Sequence, residues 1–311
     1  MRRFRNKITL LVIPILLVFI SMELGLRNIP NDYTLKKEYL DANSNQIETL
    51  ILGSSHAFFG IDPKYFSSKT FNASYASQSL DYDYLIFNKY RNDFKRLKAI
   101  VIPISYFTLF SKLEFVPEEA WRAKNYSIYY DLNIFENLFK YAELSKIKFN
   151  VNIRKLISYY INRKTPIISN ELGWGTTYRS EDALNLLETG KLAALRHSGY
   201  GSLKVKQNVY IENLAILKSI IKWCEDRNIE LVLITLPAYE TYRENLNIEQ
   251  LNITTETANA LDSKSANCRY FNLLADSSFI ANDFYDADHL SEIGAEKLSK
   301  AISSIIDEFE N

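Results

Sequence analysis

The sequence predicts an α/β fold, a parallel sheet with helices on both faces, carrying a helical insertion and an N-terminal membrane helix. Three observations carry this prediction. Runs of strand type, largely apolar at successive positions, recur at 49–52, 99–104 and 230–237, and 268–273 looks like a fourth strand. Amphipathic helical stretches lie between or after them, at 82–96, 206–228 and about 291–308. An uncharged stretch from Ile8 to Met22 stands near the start of the chain. Strands that are apolar at successive rather than alternate positions are buried on both faces, and when they alternate with helices they form parallel sheets.

Arg2, Arg3, Arg5 and Lys7 precede the first apolar stretch, and Leu24 and Leu26 extend it past Glu23. Its length approaches the ~20 residues that cross a bilayer. No small-x-small cleavage site follows, and Pro14 is tolerated inside a membrane helix. The segment reads as an uncleaved, single-pass signal anchor of the cytoplasmic membrane. Cationic residues stay inside, so the chain from about residue 28 onward lies in the periplasm or the exterior. A cleaved signal or a helix on the lipid surface is the alternative. Residues 28–46 are polar and mixed and read as a stalk. Thr49-Leu50-Ile51-Leu52 is the first strand, stopped by Gly53. The stretch 112–205 is rich in Tyr, Phe, Lys and Asn and has helical periodicity without a clear buried strand. It reads as an insertion or cap on the active edge of the sheet, with a loop at 173–178. The expected organisation is 1–27 cytoplasmic tip and anchor, 28–46 stalk, and 47–311 α/β domain with an insertion at about 112–205.

Composition narrows the function. Of 311 residues, 47% are apolar and 24% charged, which excludes a disordered or fibrous chain. Lys+Arg and Asp+Glu balance at 37 each, which argues against a nucleic-acid binder and against steering toward polyanions. Tyrosine is abundant, at 21 residues, and suits sugar-like ligands as well as core packing. Cys224 and Cys268 allow one disulfide at most, and Cys224, closing the apolar run 214–223, reads as a buried free thiol. Three histidines and no CxxC pair leave little for a zinc site.

Two short segments carry chemistry. Gly53-Ser54-Ser55-His56 follows the first strand directly. A serine at a strand-to-helix turn presents its hydroxyl at the carboxyl edge of the sheet, where α/β folds bind ligands. Neighbouring backbone N–H groups can hold a developing oxyanion there. Asp286-Ala287-Asp288-His289-Leu290 directly precedes the last helix. A histidine three residues after an aspartate lets the carboxylate accept from one ring nitrogen and leaves the other free to take a serine proton.

This arrangement resembles the SGNH/GDSL hydrolase superfamily over roughly 47–110 and 206–311. LGSSHAFFGIDP and FYDADHLSEIGAEKLS are similar to membrane-anchored SGNH-like proteins that acylate bacterial envelope polysaccharide. The resemblance implies a three-layer, flavodoxin-like α/β/α sheet and acyl transfer or ester hydrolysis outside the cytoplasmic membrane. It implies Ser55 as nucleophile, His289 as base and then acid, and Asp286 as the residue that holds the imidazole. No metal or organic cofactor is implied. An acyl group, acetyl by preference, would pass to a carbohydrate hydroxyl or to water, with a polytopic membrane acyltransferase as partner. Ser54 stands where the family has Asp. The second block, Phe71 to Ser79, has no glycine, and Ser105-Tyr106 after the second strand offers no Asn. The oxyanion hole is therefore expected to be rebuilt, with Ser77, Gln78, Ser105, His56 and Asn72 as candidate donors or substrate contacts.

Each residue also has a plainer reading. Ser55 could cap its helix, His289 could sit in a turn, Asn72 could form one, and His56 could pack beside the site. Asp288 competes with Asp286 for the imidazole but is expected to cap the helix near Ser291. Trp174 and Tyr178 could stack on a sugar or pin a loop. Two rival functions remain: a non-catalytic glycan-binding or assembly module beside a membrane acyltransferase, and a metal-dependent hydrolase using Asp286, Asp288, His289 and His56.

Overall fold

The computed structural model describes residues 2–132, 142–144, 149–198 and 203–309, so parts of the expected insertion lie outside the described residues. The chain divides into two units, Met1–Lys37 with Trp121–Ile167, and Glu38–Ala120 with Ile168–Asn311. The stretch expected as one insertion at 112–205 is thus shared between them.

The first unit contains α1 (Arg2–Arg27) and the start of α2 (Asp32–Asn43). Thr9–Arg27 of α1 is long and apolar enough to cross a membrane, and its side chains from Leu10 to Ile20 are exposed. The presumed stalk is therefore largely helical. Its polar composition hid α2, which begins at the Asn31 carboxamide accepting the Thr34 N–H at 3.1 Å. This unit also holds α5 (Ala123–Tyr129) and α6 (Phe149–Leu156), the latter continued by a π turn over Ile157–Ile161.

The second unit is built on five parallel strands, β1 (Thr49–Ile51), β2 (Thr70–Asn72), β3 (Ala99–Pro103), β4 (Glu230–Thr235) and β5 (Cys268–Asn272). Their order is β2-β1-β3-β4-β5, the flavodoxin-like order. Thr49 pairs with both Thr70 and Ala99, so the winding reverses on either side of β1. That reversal opens a crevice beyond the carboxyl ends of β1 and β3. The helices are α3 (Ser55–Gly60), α4 (Leu80–Tyr90), α7 (Leu186–Ser198), α8 (Leu203–Glu225), α9 (Glu240–Arg243), α10 (Ile248–Asp262) and α11 (Glu292–Phe309). Ile51, Val101, Val232 and Ile234 pack on one face with Ala57 of α3 and Leu298, Ile302 and Ile306 of α11. The alternate residues Leu50, Ile100, Ile102, Leu231 and Leu233 are fully buried on the other face. There α4 and α8 meet through an edge-on contact of Phe87 with Trp223. The result is the expected three-layer α/β/α arrangement.

Three differences from the expected elements have simple causes. The helix expected over 82–96 stops at Tyr90, because the Asp93 N–H turns back to the Tyr90 carbonyl at Asn92-Asp93, residue types that favour turns. β2 is an edge strand of three residues, too short to show a period. The hairpin of β6 (Phe284–Asp286) and β7 (His289–Leu290) is shorter than any run that sequence patterning detects. Cys224 and Cys268 are both buried free thiols.

Asp83 of α4 ties the top of β1 to the loop after β2. Its Oδ1 accepts the Gly53 N–H at 2.7 Å and the Gln78 amide at 2.6 Å. Burial nevertheless pushes its carboxyl up to about 7. A carboxyl raised by folding adds no penalty while it is protonated in both states. It costs stability as pH rises from its unfolded value through its folded one. Asp83→Asn keeps both accepted hydrogen bonds and removes the ionisation. Its Tm should therefore fall less than that of the native chain between about pH 4 and pH 7. Parallel Tm–pH curves for the two proteins would contradict this account.

Candidate active site

The turn after β1 is shaped by its backbone. Gly53 has φ 121°, and a Cβ there would stand 3.0 Å from the Pro103 ring. Only glycine adopts that conformation readily beside such a neighbour. Ser54 is extended and precedes α3, and Ser55 is the first helical residue, at the carboxyl end of β1. The crevice of the sheet is where that turn delivers the Ser55 hydroxyl.

The β6–β7 hairpin delivers the partners. Asp286 and His289 face each other across the ladder, with Ala287-Asp288 as the intervening turn. Residues directly opposite in an antiparallel pair project to the same side. The D-x-x-H spacing thereby becomes contact. The Asp286 carboxylate lies 2.9 and 3.1 Å from His289 Nδ1 and also accepts the His289 N–H at 2.8 Å. A carboxylate can only accept, so Nδ1 carries the proton and Nε2 presents its lone pair. Ser55 Oγ lies 2.9 Å from that Nε2. Asp286 and His289 are buried and Ser55 is half-buried. The hairpin is seated by the Ser291 N–H on the Asp283 carbonyl, and Gly294 permits the approach, since a Cβ there would collide with that carbonyl.

Asp288 does not cap the last helix. Ser291 holds that place, accepting the Gly294 N–H at 3.5 Å. Asp288 instead points into a second cluster. Its Oδ2 is 3.4 Å from His56 Nε2, 3.1 Å from Arg196 Nη2 and 3.8 Å from His197 Nε2. Its Oδ1 has no hydrogen-bond partner among the described residues, although the side chain is buried. His197 Nδ1 meets the Tyr242 hydroxyl at 2.8 Å. His56 Nδ1 lies 2.8 Å from Ser105 Oγ. His56 donates from Nε2 to Asp288, so the Ser105 hydroxyl donates to Nδ1 and is thereby engaged. All three histidines of the chain converge here, with ring centroids 4.9 Å apart for His56 and His289 and 5.8 Å for His56 and His197.

Burial favours the neutral forms of His56 and His197, whose pKa values fall. Burial would also lower His289, but the carboxylates of Asp288 and Asp286 outweigh it and raise its pKa. Asp288 itself would be raised by burial, and the surrounding imidazoles draw it well below its ordinary value. His56, Asp288 and His289 bring ligand atoms within 4.8 Å of one another, the spacing of a metal site. Both nitrogens of His289 are already engaged, however, and a guanidinium occupies the Asp288 oxygen that faces His56. The donor set is arranged for proton transfer and hydrogen bonding rather than for a divalent cation.

The remaining expected residues build the walls. Both amide hydrogens of Asn72 go to the Ala57 and Ile61 carbonyls, and both of Gln78 go to Ala73 O and Asp83. Neither side chain has an N–H left for a substrate. The Gln78 backbone N–H donates to Tyr75. Ser77 has φ 61°, the conformation glycine favours, and its N–H makes no hydrogen bond among the described residues. Tyr178 meets His289 edge-on, with its own ring stacked between Phe59 at 3.6 Å and Tyr285 at 4.0 Å, so both its faces are covered. Trp174 is buried and donates to the Phe59 carbonyl at 2.7 Å. Both aromatics pin the loop rather than offer a free face to a sugar. Arg196, His197 and Tyr242 were not singled out from sequence. The one available signal was the rarity of histidine.

No family model matches the chain, and no curated protein matches it. Solved structures resemble it at low identity. A GDSL-like lipase from Bacteroides thetaiotaomicron is 8% identical, with TM-score 0.42, over 89% of this chain and 99% of that one. A structure assigned as an acylhydrolase from Bacteroides fragilis is 9% identical, with TM-score 0.44, over 88% and 97%. One assigned as a platelet activating factor from Streptococcus pneumonia is 12% identical, with TM-score 0.43, over 96% and 99%.

Proposed function

We propose that this chain is an SGNH-type serine esterase or O-acyltransferase that works outside the cytoplasmic membrane from a single-pass anchor. The observation that supports it most is the continuous contact from Ser55 Oγ to His289 Nε2 and from His289 Nδ1 to Asp286. In the proposed reaction His289 Nε2 takes the Ser55 proton as Oγ attacks the acyl carbonyl. The imidazolium, held by Asp286, then protonates the departing alkoxide. An acyl ester remains on Ser55. A carbohydrate hydroxyl or water next gives its proton to Nε2 and attacks that ester, and the returning proton restores the serine. The donor class is an acyl ester, with acetyl the preferred group, and the acceptor class is cell-envelope carbohydrate. A polytopic membrane acyltransferase is the proposed partner. The oxyanion would be held by the Ser55 and Ser77 N–H groups, Ser77 taking the place of the family's glycine. Ser105 and His56 would serve as positioning residues, through Asp288.

Three outcomes test this. A fluorophosphonate probe should add once to the native chain and not to Ser55→Ala, whose Tm should be nearly unchanged; an adduct retained in the variant would refute the nucleophile. Asp286→Asn, measured on an aryl acetate, should lower kcat about 10⁴-fold, the cost of a misdirected imidazole. The base must be neutral, so the rate should rise with pH through the raised pKa of His289 and then level. Asp288→Asn removes the nearest supporting charge outside the His289–Asp286 pair, so that limb should move to lower pH. An unmoved limb would show that Asp288 does not act on His289.

A further inference from the structure

We infer that α6 with its π turn is an interfacial helix that lies in the head-group region of the bilayer that α1 crosses. The inference rests on the reading of α1 as a membrane anchor. Phe149, Ile153, Ile157 and Ile161 follow one another at four-residue spacing, and all four are exposed. In a straight α-helix such a row drifts steadily round the surface. The wider turn at 157–161, closed by the Asn162 N–H on the Ile157 carbonyl, turns the row back and keeps it on one stripe. Tyr160, also exposed, stands beside that stripe.

The stripe is continuous with the membrane segment. The Tyr160 hydroxyl donates to the Gly25 carbonyl at 3.0 Å, and a Cβ on Gly25 would stand 3.1 Å from Leu156 Cδ2. The Glu23 carboxylate accepts the N–H groups of Glu143 and Leu144 at 2.9 and 3.0 Å. These contacts lie in the last turns of α1, where the apolar segment ends at Arg27. Those of Tyr160 and Leu156 hold α6 beside that end, at the depth of the bilayer boundary. Residues 149–167 carry Arg154, Lys155, Arg163 and Lys164 and no acidic side chain. An apolar stripe flanked by cations, with tyrosine at its end, is the chemistry of an anionic lipid surface.

The test uses the full chain in vesicles of phosphatidylcholine and phosphatidylglycerol, with an environment-sensitive dye on Ile161→Cys, Ile153→Cys or Leu17→Cys. The native thiols are buried and raised to about 12, so they should stay unlabelled. Spin-labelled lipid with a shallow label should quench positions 153 and 161 about twofold more than lipid with a deep label, and position 17 should show the reverse. Quenching at position 17 with iodide-accessible, unquenched 153 and 161 would overturn the interfacial helix and leave the anchor standing. No quenching at any position would overturn the anchor and this inference with it.

Discussion

The cross-strand pairing of Asp286 with His289 is the constraint on which the site depends. A two-residue turn sets the carboxylate and the imidazole opposite each other, and the ladder holds them there. The same hairpin is closed by the Ser291 N–H on the Asp283 carbonyl and packs through Phe284 and Leu290 in one core with β1, β3, β4 and the apolar face of α11. His289 thus arrives at Ser55 from the far end of the chain with its tautomer already determined. The opposite half of the contact is equally rigid. Gly53 turns the chain sharply after β1, and Asp83 holds its N–H. A loose segment could not bring two residues 234 positions apart within hydrogen-bonding distance at so little conformational cost.

Electrostatics around His289 are set by two carboxylates rather than one. Asp286 orients the ring, and Asp288, at 3.6 Å from Nδ1, adds charge without replacing that role. A second buried anion would be costly alone. The Arg196 guanidinium and the His56 N–H, both hydrogen-bonded to its Oδ2, make it tolerable. Among the described residues its Oδ1 has no hydrogen-bond partner, which marks where the balance is incomplete. The effect is an imidazole held in one tautomer, with its pKa raised above the ordinary value.

The two units differ in how their apolar side chains are covered. In the sheet, apolar residues at successive positions are covered on both faces by helices. In the unit that contains α1, apolar side chains from Leu10 to Ile20 and along α6 stay exposed, since their proposed solvent is lipid rather than protein. The Tyr160 hydroxyl satisfies the Gly25 carbonyl, and the Glu23 carboxylate takes the Glu143 and Leu144 N–H groups, so these backbone groups are paired beside the end of α1.

The sequence by itself determined the layered sheet, because the central residues of β1, β3 and β4, Leu50-Ile51, Ile100 to Ile102 and Leu231 to Ile234, are apolar at successive positions and are buried on both faces. It determined the apolar α1, and it put Ser55 after the first strand and Asp286 three residues before His289. Tertiary structure decided the rest. β2 and the hairpin are two or three residues long, and short strands exist only through their partners. α2 is too polar to show a stripe. The competition between Asp286 and Asp288 is settled by ladder register, which no spacing rule encodes. Asn72 and Gln78 looked available as donors, but their N–H groups go to carbonyls and a carboxylate brought near by folding. Arg196, His197 and Tyr242 come from helices with no motif of their own. Only packing brings them to Asp288, because a long-range contact depends on the path of the whole chain and local sequence carries no record of it.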